Sequence, residues 1–333
     1  MERAIVHSDL TKNEIQPQLL LEKYIELLKL DIKYFFPEES LQKVFCPVTE
    51  EEAVRGEFIK MEMQYNISHT FGNIYLSPRP SIEELRRFYQ ESEARKFWLT
   101  ELWPQTQETR HDKMILPQLE WAEGFITQYS SKNNLFLADI SPNNWGFYSS
   151  AKDFFKESNF TIVNPFFDLD IANNYVDNLD ITGEVLEDSL DAVFLFESLD
   201  RSPCPLEMLR EVSKHLKQGG LCFITSLLSS GFEVQLLGDK SEIFVPPERM
   251  NILSYEGMNT LIERLNCFDI LEFSTPGVLD IPNVVSRLSY LSNSTFFKYI
   301  FNERQDPEII DSFQDYLQMN RLGTFARLVL RKC

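Results

Sequence analysis

The 333-residue chain lacks most of the short signatures by which a sequence declares its chemistry. Its five cysteines, Cys46, Cys204, Cys222, Cys267 and Cys333, are odd in number and scattered, and none stands in a CxxC pair. A secreted disulfide framework is therefore not expected, and the thiols read as small core residues in a reducing compartment. The four histidines, His7, His69, His111 and His215, form no HxxxH or H-x-E pairing, which leaves a metal-hydrolase reading without support. A GxSxG elbow and a GxxxxGK[ST] phosphate loop are both missing, against the common hydrolase and nucleoside-triphosphatase mechanisms. No apolar run approaches the roughly 20 residues of a membrane span. The first nine residues carry charge in place of the apolar stretch of a secretory signal. Repeats and low-complexity tracts are absent too. Positive charge is scarce, with 32 Lys+Arg against 51 Asp+Glu and a formal net charge of -19. Such a surface repels phosphate backbones and anionic lipid, so neither nucleic acid nor membrane is expected as a partner, and the cytoplasm is the expected location.

What the chain does have is apolar patterning, with 43% hydrophobic residues and 27 phenylalanines. Residues Gln18 to Phe36 carry Leu, Ile, Tyr and Phe at helical spacing and stop at Pro37. Between Lys43 and Ser77 the pattern shortens to strand-like stretches, Glu57–Met61 and Asn73–Leu76, around polar turns. Pro78-Arg79-Pro80 supplies a rigid turn, and Ser81 an N-cap with acidic residues in the next turn, opening a helical run to about Tyr129. From Leu135 onward, strand candidates at Leu135–Ile140, Phe160–Val163, Ala192–Phe196 and Leu221–Thr225 alternate with amphipathic helices. That alternation predicts a mostly parallel sheet covered by helices, which binds its ligand at the carboxyl ends of the strands. One helix, Pro205 to Lys217, is read as closed by Gln218-Gly219-Gly220, with glycine in the left-handed cap. Further α/β elements and a helical tail are expected after Ile224. The aromatics from Tyr290 to Phe301 fall at helical spacing and read as core or subunit contact.

Four stretches then carry a resemblance: Ile74–Ser81, the strand, turn and helix that run to Lys217–Gly220, Phe244–Asn251, and Ser274–Asp280. In order and spacing they resemble a bacterial group of class I S-adenosylmethionine methyltransferases with an N-terminal zinc-ribbon-like module, often tied to surface-polysaccharide or secondary-metabolite gene sets. The resemblance implies a Rossmann-like, mostly parallel sheet with helices on both faces. It divides the chain into an N-terminal helix (1–42), a small β module (43–80), a helical linker (81–130) and a methyltransferase-like domain with a helical tail (131–333).

The chain departs from that group at its chemistry. Two CxxC knuckles would give four thiolates for zinc; here they read Cys46-Pro47-Val48-Thr49 and Ser68-His69-Thr70-Phe71, so no zinc is expected. The cofactor turn, normally GxGxG after an acidic residue, reads Asp139-Ile140-Ser141-Pro142-Asn143-Asn144-Trp145-Gly146. Asp139 and Gly146 match, whereas Ser141 and Asn143 stand where glycines let the backbone approach the ligand. Asn tolerates positive φ better than other non-glycine residues, Pro142 removes a donor, and Trp145 adds bulk. The ribose-binding acid at the end of the second strand is replaced by Asn164, with Asp168 and Asp170 as nearby substitutes. A Glu-His pair reads Glu197-Ser198-Leu199-Asp200-Arg201, and a second histidine position is Arg249. Asp200 and Glu248 are left as candidate carboxylate bases, Arg201 and Arg249 as anion binders, and the bland reading makes all four exposed ion pairs. By resemblance, Asp139, Ser141, Asn143, Gly146 and Asn164 would hold S-adenosylmethionine. These departures favour a non-catalytic partner or regulatory subunit, in a homo- or hetero-oligomer with a related methyltransferase. The alternative is an active enzyme that methylates a sugar or other small molecule.

Overall fold

A computed structural model describes residues 5–130, 134–140, 145–162, 186–291 and 294–333, with the backbone alone at 145 and 146. Its strands are β1 Val54–Lys60, β2 Met63–Ser68, β3 Ile74–Leu76, β4 Phe136–Asp139, β5 Asn159–Ile162, β6 Leu190–Phe196, β7 Leu216–Leu227, β8 Asn251–Ile252, β9 Phe268–Ser274 and β10 Phe325–Lys332. Six of them form one sheet in the order β5-β4-β6-β7-β10-β9. β4, β5, β6 and β7 pair in parallel, and β10 runs antiparallel to both β7 and β9. The order turns back at β4, so the crevice between the carboxyl ends of β4 and β6 is the switch point at which such sheets bind ligands.

Burial divides this sheet's residues by their period of two. On one face Val193 and Leu195 pack with Leu209 and Val212 of the helix Pro205–His215 and with Met258 and Leu261 of the helix Tyr255–Glu263. On the other, Ala192, Phe194 and Phe196 meet Leu119 and Ala122 of the helix Leu116–Tyr129 and Phe147 and Ala151 of the helix Trp145–Phe154. Both faces are covered, which is why β6 reads as a continuous apolar run. The Rossmann-like α/β architecture implied by the resemblance is thus present, with four parallel strands assembled from the predicted segments.

Two expectations are corrected. The helix ends at His215, not Lys217, because Leu216 is wholly buried and already pairs with Leu190. The next register partners are Ala192 and Leu221, so residues 217–220 bulge between them, and Gly219 takes its positive φ of 78° inside the strand rather than at a helix cap. The helical tail stops at Met319, and the chain ends in β10, inserted between β7 and β9. Ala326, Leu328, Val329 and Leu330 are fully buried there, which only a strand covered on both faces accommodates.

The second sheet is antiparallel, in the order β1-β2-β3-β8. Its last strand comes from residues 251–252, so two of the resembling stretches meet: Leu76 N–H donates to the Met250 carbonyl at 2.8 Å. Tyr24, Leu28 and Phe35 of the helix Gln18–Phe35 share one core with Tyr65, Leu76, Phe88, Phe244 and Met250. Buried Arg79 fastens this unit to the large sheet, donating to the carbonyls of Leu76 (3.1 Å) and Pro203 (2.8 Å) and to Asn251 Oδ1 (3.3 Å). No helix among the described residues is long and apolar enough to cross a membrane.

At the centre of β6, Phe194 has the rings of Phe147, Phe160, Phe196 and Phe223 at centroid distances of 5.3 to 5.7 Å. Phe194→Ala is expected to destabilise the protein by about 3–5 kcal/mol, through lost burial plus an incompletely collapsed cavity. A urea melt of the variant against the parent measures it; a change under 1 kcal/mol, to order of magnitude, would contradict this packing.

Candidate functional site

β4 delivers buried Asp139 to the switch point, and the next helix begins at Trp145. Just past β4, Ile140 N–H donates to the Phe194 carbonyl at 2.9 Å and Ser198 Oγ donates to the Ile140 carbonyl at 2.5 Å. Asp139 thus closes β4 on one side of residues 141–144, and the helix Trp145–Phe154 opens on the other. Gly146 lies in the first turn of that helix. Ser141, Asn143, Asn164, Asp168 and Asp170 lie outside the described residues.

At the carboxyl ends of β6 and β7 opens a cleft of about 700 Å³. Phe196 and Glu197 at the end of β6 and Thr225 in β7 form its floor. Its walls come from Tyr24 and Ile25, from the β1–β2 turn, from the helical run between Arg95 and Gln118, and from residues 240–249. That helical run widens into π-type turns at Trp98–Leu102 and His111–Ile115. Pro104 and Pro117 follow them; a proline cannot donate back to the preceding turn, and the wider turn absorbs the missing bond. Trp98, Leu99, Trp103 and Met114, from these turns and the residues just beyond them, line the cleft.

The structure brings Asp200, Arg201, Glu248 and Arg249 together, along with Glu197, which sequence reasoning passed over. Arg249 grips two carboxylates, Asp200 at 2.7 Å and Glu197 at 2.6 Å. Arg201 donates to Glu197 at 3.2 Å and to Glu248 at 2.8 Å, and Tyr24 Oη donates to Glu248 at 2.8 Å. Asp200 also accepts from Ser226 Oγ and from Leu227 N–H. These are not the exposed pairs of the bland reading: the side chains of Asp200, Arg201 and Arg249 are 0%, 11% and 13% exposed. Each arginine is also occupied by carboxylates, so neither stands ready as the anion binder that the sequence suggested.

Glu197 holds a positive φ of 54° at the end of β6, a conformation non-glycine residues adopt at a cost and one that recurs at functional positions. The signal that would have found it is a carboxylate one residue past a buried strand of a parallel sheet. Burial pushes the Glu197 carboxyl up, but Arg249 and Arg201 more than offset it and hold it down at about 2. Glu248 is likewise lowered: burial opposes, while Arg201 and Arg95 prevail. Asp200 goes the other way, raised by burial despite Arg249. Glu197 and Glu248 are thus firmly ionised and weakly basic near neutral pH, and Asp200 does not line the cleft.

Before β1, Cys46 is buried against the core of the large sheet, and its Sγ accepts from Asn73 Nδ2 at 3.6 Å. His69 is exposed, as is His111, whose Nδ1 lies 3.0 Å from Ser150 Oγ. Among the described residues no group of three or more His, Cys, Asp or Glu side chains is arranged to hold a metal ion.

No family model matches the chain, and no curated protein matches it. Solved structures do. The plantazolicin methyltransferase BpumL in complex with SAH is similar at 11% identity and a TM-score of 0.43, over 75% of this chain and 97% of that one. A complex between the Haloferax volcanii Trm112 methyltransferase activator and the putative methyltransferase is similar at 13% identity and 0.43, over 70% and 95%. A SAM-dependent methyltransferase from Thermotoga maritima, described as a possible histamine N-methyltransferase, is similar at 13% identity and 0.41, over 76% and 100%.

Replacing Arg249 strands two carboxylates at once, one of them wholly buried. Arg249→Met is expected to cost about 3–5 kcal/mol, the range for removing one partner of a buried ion pair. Arg249→Lys should rescue little of it, since one ammonium cannot span both carboxylates as a guanidinium fork does. The pH dependence has a defined sign. Because the folded Glu197 carboxyl is depressed from 4.5 to about 2, its contribution is present above pH 4.5 and is lost as pH falls towards 2. Urea midpoints measured from pH 6 down to 2.5 should fall more steeply in the parent than in Arg249→Met; parallel slopes would refute the assignment.

Proposed function

We propose that the protein is a small-molecule methyltransferase, with S-adenosylmethionine held over the carboxyl end of β4 and the acceptor in the cleft next to it. The observation that carries this reading is the cleft itself, of ligand size at about 700 Å³, with its floor on Phe196 and Glu197 at the carboxyl end of β6. A subunit that only stabilised another protein would have no use for convergent polar and aromatic groups from five separate segments in a recess at that place.

S-adenosylmethionine, when bound, supplies an electrophilic methyl group for in-line displacement. What the chain contributes is placement. Tyr24, Trp98, Trp103 and Phe196 shape a partly apolar wall that excludes water and orients the acceptor. Glu197 and Glu248, ionised and paired to arginine, fix the floor and do not take protons. Asp200 acts further back, as a positioning group that holds Arg249. The acceptor accordingly reacts through an atom with an available lone pair, such as an amine or a carboxylate, and needs no strong base from the protein.

The same paired carboxylates, with Ser141, Asn143 and Asn164 in place of the usual glycines and acid, support a second reading. In it the chain is a non-catalytic partner of a related methyltransferase, and the cleft is the remnant of an acceptor site.

Isothermal titration with S-adenosylhomocysteine separates the two. The first reading expects a micromolar Kd, worth about 8 kcal/mol, weakened at least about tenfold by Asp139→Ala. Absence of both heat and thermal shift at millimolar ligand would leave the non-catalytic partner as the surviving function.

A further inference from the structure

The chain has far more acidic than basic residues, 51 against 32, yet the lining of its cleft reverses that balance. Eight lysine and arginine residues face three glutamates there. Arg201 and Arg249 are neutralised by Glu197, Glu248 and Asp200, and Arg287 pairs with Glu242. Two further cations are held by neutral groups. Arg110 donates from Nε to Thr106 Oγ1 at 3.0 Å and from Nη2 to the Ile15 carbonyl, and no carboxylate pairs with it among the described residues. Its guanidinium lies 5.4 Å from the Trp98 ring centre and 5.7 Å from that of Trp103. Lys60 donates to the carbonyls of Asp239 (2.9 Å) and Ser241 (3.0 Å).

Placing cationic side chains in a recess with no carboxylate in contact is costly, because burial disfavours the charged form, and the more distant attraction of Glu197 for Arg110 and of Asp239 for Lys60 does not offset it. Burial lowers both groups, Arg110 to about 10. An incoming anion would remove that penalty and gain charge-assisted hydrogen bonds. With eight cationic and three glutamate side chains in its lining, the cleft is locally positive on a chain whose formal net charge is -19.

We propose that the ligand of this cleft carries a negatively charged group, a carboxylate or a phosphate, and that Arg110, braced by Trp98 and Trp103, and Lys60 are the residues that recognise it. The inference rests on the cleft being an acceptor site as proposed above, and it narrows the acceptor class to anionic small molecules.

The test uses the full chain and three probes of one shape, benzoate, phenyl phosphate and the neutral benzamide, followed by tryptophan fluorescence and thermal shift without cofactor. Benzoate or phenyl phosphate should bind at least about tenfold more tightly than benzamide, with the stronger of the two identifying the anion, and binding should weaken as salt is raised. Arg110→Gln should weaken the preferred anion about tenfold or more. If that variant does not fold by circular dichroism, Lys60→Met provides the same readout from the other side of the cleft. Equal binding of benzamide and the anions, no binding of any probe up to about 10 mM, or folded variants with unchanged anion affinity would overturn the proposal. Failure here with S-adenosylhomocysteine still bound would reject the anionic acceptor and leave the methyltransferase reading standing. Success here without S-adenosylhomocysteine binding would reject methyl transfer and keep the anion site.

Discussion

Arg249 grips Asp200 and Glu197 at once, and through that grip the two halves of the molecule become one site. The arginine immediately precedes Met250 and β8, which belong to the small sheet and its core, while the carboxylates follow β6 of the large sheet. Removing these three charged groups from water costs several kcal/mol per ion, and only close geometry with every lone pair engaged offsets it. Asp200 meets that condition with Ser226, Leu227 N–H and Arg249 around it, and Met250 N–H bonds the Asp200 carbonyl at 2.7 Å. The cleft floor is therefore a consequence of docking the small sheet, not a property of the large sheet alone.

The same network decides what the floor can do. Carboxylates locked against arginines are poor proton acceptors, so the site's capacity lies in binding and alignment. Arg110 and Lys60 stand on other elements, and the groups in contact with them are neutral oxygens and, for Arg110, indole faces. A recess with this division, anions spent on structure and cations available at the wall, selects by charge before it selects by shape.

The small sheet is packed around aromatic rings, with Tyr65, Phe58 and Phe244 in contact, and buried Cys46 sits beside Asn73 next to it. Asn73 Oδ1 accepts from Ser254 N–H at 2.9 Å, and a Cβ on Gly257 would lie 1.9 Å from that oxygen, so glycine is required for the approach. These contacts bind the sheet to residues 250–257, far along the chain.

By itself the sequence determined the parallel strands and their covering helices, because strands buried on both faces need unbroken apolar runs and helices need a stripe, and both are local patterns. It also marked Arg201 and Arg249 as positions where chemistry departs from the resembling group, and Asp139, Asp200 and Glu248 as the acidic residues left at the candidate site. Tertiary structure decided the rest. β10 entered the sheet between β7 and β9, and residues 251–252 completed the small sheet, pairings that depend on partners far away in sequence. Glu197, Lys60 and Arg110 came to line one cleft only when three segments distant in sequence converged, and whether a charge is buried and by what it is answered is set by neighbours that no local pattern encodes.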